Sequence, residues 1–320
     1  MDMAYLLWVQ DLRSGIEAAL NSKAVSIFFE ELSLFAITWL IFIPVFVYWA
    51  VNKKDGLFLL VSMGISWFFN GFVKMTACAY RPWIRDARII PAGDAIKTAG
   101  GYSFPSGHTM WSSPVYGGLA VLTKKRAPMF ASLCVILLLL TAFSRNYLGV
   151  HTPQDVVVGV ILGLCSVWLA SRILANPGKE NMIMLIGLVL CIADLLYIMY
   201  KPYPMDYTAE GRLLVDPVAM MNGPFHGIGM LLALIVGRCL EREYVKFEST
   251  GLGLKGIVLA VIGFIPYYFL VFSFVKSTFI INTLAGMLTK RWAYMVLGFL
   301  TVFWAIFVWP CVIKLTGGKK

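Results

Sequence analysis

Residues 127–174 read APMFASLCVILLLLTAFSRNYLGVHTPQDVVVGVILGLCSVWLASRIL. Two apolar runs, 127–146 and 154–174, have about the 20 residues a helix needs to cross the hydrocarbon core of a bilayer. The short stretch between them carries Arg145, His151 and Asp155, so charge and a titratable ring stand where two spans end. Similar runs lie near 33–51, 56–74, 108–123, 181–200, 218–237, 256–275 and 292–313. The expectation is an all-α, polytopic membrane helix bundle of about nine spans, with 108–123 the shortest of them. Residues 278–289 are apolar but too short to cross, and are expected at the interface or as a re-entrant turn.

Composition agrees. Hydrophobic residues make up 59% of the 320, and charged residues 14%, against about 25% in an ordinary soluble domain. Mean hydropathy is +0.78. The net charge of +10 sits mostly in short segments between apolar runs, where basic residues set topology and meet anionic head groups. No basic block is interleaved with solvent-facing aromatics, which argues against nucleic acid as a partner; membrane lipids are the expected surroundings. The six cysteines show no paired spacing and read as buried thiols, neither a disulfide framework nor a zinc site. The N-terminus lacks the pattern of a cleaved leader, and Asp2, Asp11 and Glu17 give it the look of an amphipathic surface segment.

Basic residues alternate along the connections. Lys53, Lys54, Lys124, Lys125, Arg126, Arg172, Lys179, Arg238, Arg242, Lys246, Lys255, Lys314, Lys319 and Lys320 fall on one side if nine spans are right. The positive-inside rule makes that side cytoplasmic. Arg81, Arg85, Arg88 and Lys97 fall on the other, in the connection 75–107. Either the topology is inverted, or those residues do something other than orient the chain.

Three clusters end spans on that second side. The first runs from Lys74 to Arg81-Pro82; the second is Pro105-Ser106-Gly107-His108; the third runs from Ser144-Arg145 through His151 to Asp155. Cations at the edge of a membrane core are costly and mark functional sites, although one alone can simply snorkel to the interface. Lys74, Arg81 and Arg145 together balance the charge of a phosphate dianion, with Arg offering two parallel donors and Lys a point charge. Gly107 lets backbone approach a ligand, and a helix N-terminus presents free N–H groups; the same stretch also reads as an ordinary helix start capped by Ser106. His151 and Asp155 share a helix face, so Asp155 can hold one imidazole nitrogen and leave the other to attack phosphorus. Thr152-Pro153-Gln154-Asp155 reads equally as a capped helix start, and both roles can hold at once.

The full set resembles the type 2 phosphatidate phosphatase superfamily, whose pattern is K-x6-RP, then PSGH, then SR-x5-H-x3-D. Lys74, Arg81, Pro82, Pro105, Ser106, Gly107, His108, Ser144, Arg145, His151 and Asp155 occupy every fixed position in order. The resemblance covers roughly residues 55–176; residues 177–320 lie outside it as additional C-terminal spans without an assigned role, and 1–320 read as one membrane domain. It implies an integral membrane phosphatase that hydrolyses a lipid phosphate or diphosphate through a phosphohistidine, without metal or other cofactor. His151 is then the nucleophile, Asp155 its orienting carboxylate, and His108 the acid for the leaving group and base for water. Lys74, Arg81, Ser106, Gly107 and Arg145 are then the phosphate-binding residues.

Alternatives remain at this stage. A membrane phosphotransferase uses the same intermediate and passes the phosphoryl group to a lipid or sugar. A soluble vanadate haloperoxidase shares the motif, but the spans argue against it. A non-enzymatic lipid transporter is disfavoured by the intact His108, His151 and Asp155. Length and span count also resemble glucose-6-phosphatase and sphingosine-phosphate phosphatases. The expected location is a multi-pass cell (inner) membrane with the site facing the outside or periplasm, or else the endoplasmic reticulum with a lumenal site. Outside the motif, Asp194 reads as a polar residue bonded to a neighbouring helix, His226 as structural, and Gly159 and Gly163 as a close-packing pair. The loop 83–103 and the segment 201–217 are expected to cover the site's mouth or to be solvated connections.

Overall fold

The computed structural model describes residues 2–275 and 279–316. Lys319 and Lys320, and the start of the 276–291 connection, lie outside the described residues.

Two helices, α1 (Asp2–Leu20) and α2 (Ala24–Thr38), precede a bent segment, α3 (Phe42–Phe46), that runs on to Val51. Helix α4 (Lys53–Ala77) begins where the Asn52 side chain accepts from the N–H groups of Lys54 and Asp55, at 2.9 and 3.1 Å. It ends where Cys78 turns left-handed and its N–H bonds the Lys74 carbonyl at 3.1 Å. A short turn, α5 (Pro82–Arg85), starts on a proline and opens the loop to α6 (Gly107–Thr123). Helices α7 (Pro128–Tyr147) and α8 (Pro153–Leu174) complete the motif-bearing half. The C-terminal half holds α9 (Glu180–Tyr200), the short α10 (Pro217–Met220), α11 (Asn222–Leu240), α12 (Leu254–Val275), α13 (Phe279–Met287), α14 (Lys290–Phe303) and α15 (Trp309–Leu315).

Seven helices among the described residues are long and apolar enough to cross a membrane, or eight if the bent pair Ala24–Thr38 and Phe42–Val51 counts as one span. The expected nine is therefore too many. The run 108–123 falls out of the count for a physical reason. Helix α6 has 17 residues, Pro114 within it, and His108, Thr109, Ser112 and Ser113 buried along it. It packs against α4, α7 and α8, so its surroundings are protein and it need not be uniformly apolar. It still leads from the cluster end to the opposite end, because α7 starts beside Arg126 and returns to Arg145.

The outer faces are apolar: Leu139, Ile161, Trp168, Leu185 and Ile192 are all exposed. This is the surface of a protein whose solvent is lipid, and it corrects the cysteine reading. Cys134 and Cys191 are buried, Cys78, Cys239 and Cys311 are half-buried, and Cys165 is exposed. An apolar run in a membrane helix has an outward face, so lying in one does not bury a thiol. All six are free thiols.

Close backbone contact joins the elements. A Cβ at Gly159 of α8 would lie 3.1 Å from the Thr109 side chain and 3.2 Å from the Ser106 carbonyl, and one at Gly163 would meet Ser113. Helices α11 and α14 touch through Gly229, which faces the Met295 carbonyl, and Gly298, which faces the His226 carbonyl. Gly71 packs on Pro224 and Gly227 on Trp67, which seats α11 on α4. At the end opposite the clusters, Glu241 is fully buried and pairs with Lys53 (2.6 Å) and Arg238 (2.8 Å), while Glu180 pairs with Arg238 and Arg242 at 2.9 Å. Asp194 is buried on α9, and neither of its carboxylate oxygens has a partner among the described residues, so the expected interhelical bond is not made there.

Candidate active site

The spacing of the third cluster is a helix ending. Helix α7 stops at Tyr147, and Gly149 takes φ +72°, a conformation that favours glycine. The N–H groups of Val150 and His151 then return to the Arg145 carbonyl at 3.1 and 3.2 Å. Asn146 Nδ2 donates to the His151 carbonyl at 2.9 Å, which fixes the histidine between two helices. Immediately after it, Thr152 caps α8: its hydroxyl accepts from Asp155 N at 3.3 Å, and Asp155 Oδ2 accepts from Thr152 N at 2.8 Å. The capped start and the orienting carboxylate are thus the same residue in both roles.

Asp155 Oδ2 lies 3.3 Å from His151 Nδ1 and also accepts from Ser103 Oγ at 2.5 Å. On the far side of the ring, Arg81 Nη1 stands 2.8 Å from His151 Nε2. A guanidinium only donates, so Nε2 is the acceptor and the ring proton sits on Nδ1, facing the carboxylate. His151 lies between α7 and α8, outside the spans. Burial, and then the Arg81 guanidinium, hold its imidazole well below the ordinary range, against the pull of Asp155. The ring is therefore neutral, with its free lone pair on Nε2.

Lys74, on the last turn of α4, donates to the carbonyls of Tyr102 (3.2 Å) and Pro105 (2.9 Å). Arg81 donates to the carbonyls of Gly100, Gly101 and Val150 at 3.0 to 3.2 Å. Both cations are buried, and both pin the loop that leads into α6. Gly101 has φ +70°, and a Cβ there would run into Met220. Ser106 begins α6 without a side-chain cap; its hydroxyl accepts from Thr109 at 2.9 Å, and its N–H donates to the Asp155 carbonyl at 2.9 Å.

Lys74, Arg81, Gly107, His108 and His151 line one cavity of about 310 Å³. Asp155 stands behind His151. Ser106 and Arg145 are not on the cavity wall. Arg145 is fully buried and donates to Ser33 on α2 at 2.8 Å, with Nε and Nη2 unpartnered among the described residues; His108 Nε2 is likewise without a partner. Among the described residues, no three His, Cys, Asp or Glu side chains are grouped as a metal site would require.

The PAP2 superfamily model matches residues 55–179. Over that stretch, less than half of its length, the chain is similar to this superfamily. Phosphatidylglycerophosphatase B of Bacillus subtilis (strain 168) is 32% identical over 117 residues, 34% of this chain and 53% of that protein. The protein of the same name from Escherichia coli (strain K12) is 36% identical over 90 residues, 25% of this chain and 35% of that protein. The chain thus spans about half the length of the first relative and about a third of the second. No solved structure matches it.

Several residues of the candidate site were not apparent from the motif. Ser103 holds Asp155, yet a lone serine in a polar loop carries no signal of that. The loop 83–103 does reach the site: Thr98 and Gly100 line the cavity. The segment 201–217 is tied nearby, where Tyr80 donates to Asp206 at 2.6 Å. The opposite wall of the cavity comes from Ile37 and Ile41 and from Met220, Pro224, His226 and Phe274 of the C-terminal half. His226, read as structural, stands on this wall.

Proposed function

We propose that the protein is an integral membrane phosphatase that hydrolyses a lipid phosphate or lipid diphosphate through a phosphohistidine. The observation that carries this reading is one cavity with two kinds of lining. Two buried cations and the two motif histidines line it, together with mostly aliphatic and aromatic side chains such as Ile37, Ile41, Trp111 and Phe274. A phosphate ester of a long-chain alcohol combines the same two kinds of chemistry.

His151 Nε2 attacks phosphorus, and the bond from phosphorus to the alcohol oxygen breaks. His108 gives that oxygen its proton. Asp155 stabilises the positive charge that grows on His151. Water then attacks phosphorus, His108 takes its proton, the phosphorus–nitrogen bond breaks and inorganic phosphate leaves. Arg81 moves its donors from Nε2 and the loop carbonyls to the phosphoryl oxygens, with Lys74 beside it. Arg145, behind His108, has unpartnered N–H groups that suit the same charge. Phosphatidylglycerol phosphate heads the substrate list on the names of the relatives, with phosphatidate next. The site is proposed to open on the outer face, away from Lys124-Lys125-Arg126, since short basic connections lie at the other end.

Purified protein assayed with these lipids in excess EDTA is expected to release inorganic phosphate. Phosphate found only on an added alcohol would instead make it a phosphotransferase, and loss of turnover that magnesium restores would overturn the metal-free mechanism.

A further inference from the structure

The chain has three histidines, and all three line the one cavity. Two belong to the PAP2 motif. The third, His226, comes from α11, outside the matched segment. Its ring stacks on Phe274 with centroids 4.0 Å apart and planes 23° apart. Phe274 in turn meets Trp67 at 6.1 Å, and Trp67 meets Trp111 at 4.3 Å. These four rings form a continuous aromatic face of the cavity. His226 cannot swing away with its helix, because α14 presses on its carbonyl through Gly298.

His226 is 4% exposed. Neither ring nitrogen has a hydrogen-bond partner among the described residues, and Nδ1 is wholly buried. A purely structural role explains the stacking, but phenylalanine would stack as well without burying an unpaired ring nitrogen. A buried polar group without a partner is destabilising unless a ligand supplies one. The cavity that His226 lines is the one in which the phosphate ester would sit.

We propose that His226 is a specificity-determining residue of this site, hydrogen-bonding a hydroxyl on the leaving alcohol beside the phosphate ester. The inference rests on the lipid-phosphatase reading and narrows its substrate class to hydroxylated alcohols. A hydroxyl both donates and accepts, so it pairs with the imidazole in either tautomer. An ester carbonyl pairs with only one tautomer, and a methylene with neither.

The test is a pair of substrates that differ only in that hydroxyl: a 1-acylglycerol 3-phosphate and the 1-acylpropanediol 3-phosphate of the same chain length. Wild-type protein is expected to favour the hydroxylated lipid about tenfold in kcat/KM. In His226→Phe, which keeps the stacked ring, the ratio falls to about one; in His226→Asn, which restores a hydrogen-bonding group, part of it returns. Equal turnover of the two lipids by wild type overturns the proposal, as does a wild-type ratio in His226→Phe. The wild-type ratio needs no variant, so the proposal stands open to refutation even where His226→Phe does not stay monodisperse. Failure of wild type to release phosphate from either lipid, or from phosphatidate and phosphatidylglycerol phosphate, would remove the lipid-phosphatase reading itself. Turnover without discrimination would remove only the contact with His226.

Discussion

Asp155→Asn tests the reading of the site at its most connected atom. Asp155 Oδ2 faces three donors: His151 Nδ1 at 3.3 Å, Ser103 Oγ at 2.5 Å and Thr152 N at 2.8 Å. Asparagine keeps one oxygen at that point, so the cap of α8 survives in weaker form. The countercharge does not survive. Phosphoryl transfer to Nε2 makes the His151 ring cationic, and at 3.3 Å with an effective dielectric near 20 the lost attraction is about 5 kcal/mol. At about 1.4 kcal/mol per decade this is three to four orders of magnitude in kcat. The assay is phosphate release under single-turnover conditions, with size exclusion and a thermal melt to show that the variant folds. A folded Asp155→Asn protein within about tenfold of wild type would refute the role of Asp155 as counterion.

Other consequences follow from particular residues. Burial and Arg81 depress the His151 pKa, so the neutral ring is present above that lowered value and is lost only as pH falls through it. With three histidines in the chain, imidazole NMR resolves the His151 ring, identified by its loss in His151→Ala, and it should stay neutral at pH 6.5, where a free imidazole is about half protonated; titration near 6.5 would contradict the burial argument. Gly101→Ala should lower stability by about 1–2 kcal/mol from its left-handed backbone alone, with Met220 adding to this, whereas Gly100→Ala, where a Cβ meets nothing, should change it by about 0.5 kcal/mol or less. Equal shifts in thermal midpoint for the two would refute that reading. A cysteine at Ile90, exposed on the 83–103 loop, should react with a membrane-impermeant maleimide in intact cells, and one at Lys124 only after the membrane is opened. The reverse pattern would put the site on the cytoplasmic side.

The membrane fold was legible because apolar runs of span length are a direct physical signal, and the clusters were legible because their spacing encodes local backbone. The five residues between Arg145 and His151 are what a helix end turning at Gly149 requires, and the three between His151 and Asp155 place a capping box beside the ring. Sequence could not tell a helix wrapped in protein from one facing lipid, so α6 was counted among the long apolar spans and Cys165 as buried. It also could not show what crosses long stretches of chain. Ser103 reaches Asp155 from a loop 52 residues earlier, and His226 enters the cavity from a helix outside the motif. Such contacts depend on tertiary packing, and no local pattern announces them.

The central claim is that His151 becomes phosphorylated. Wild type and His151→Ala can be mixed with substrate, quenched in alkali and digested, and the histidine-bearing peptides read by mass spectrometry. The account predicts a phosphoryl group on His151 in wild type, and none when Ala replaces His151. A phosphoryl group on another residue, or phosphate release by a folded His151→Ala protein, would contradict it.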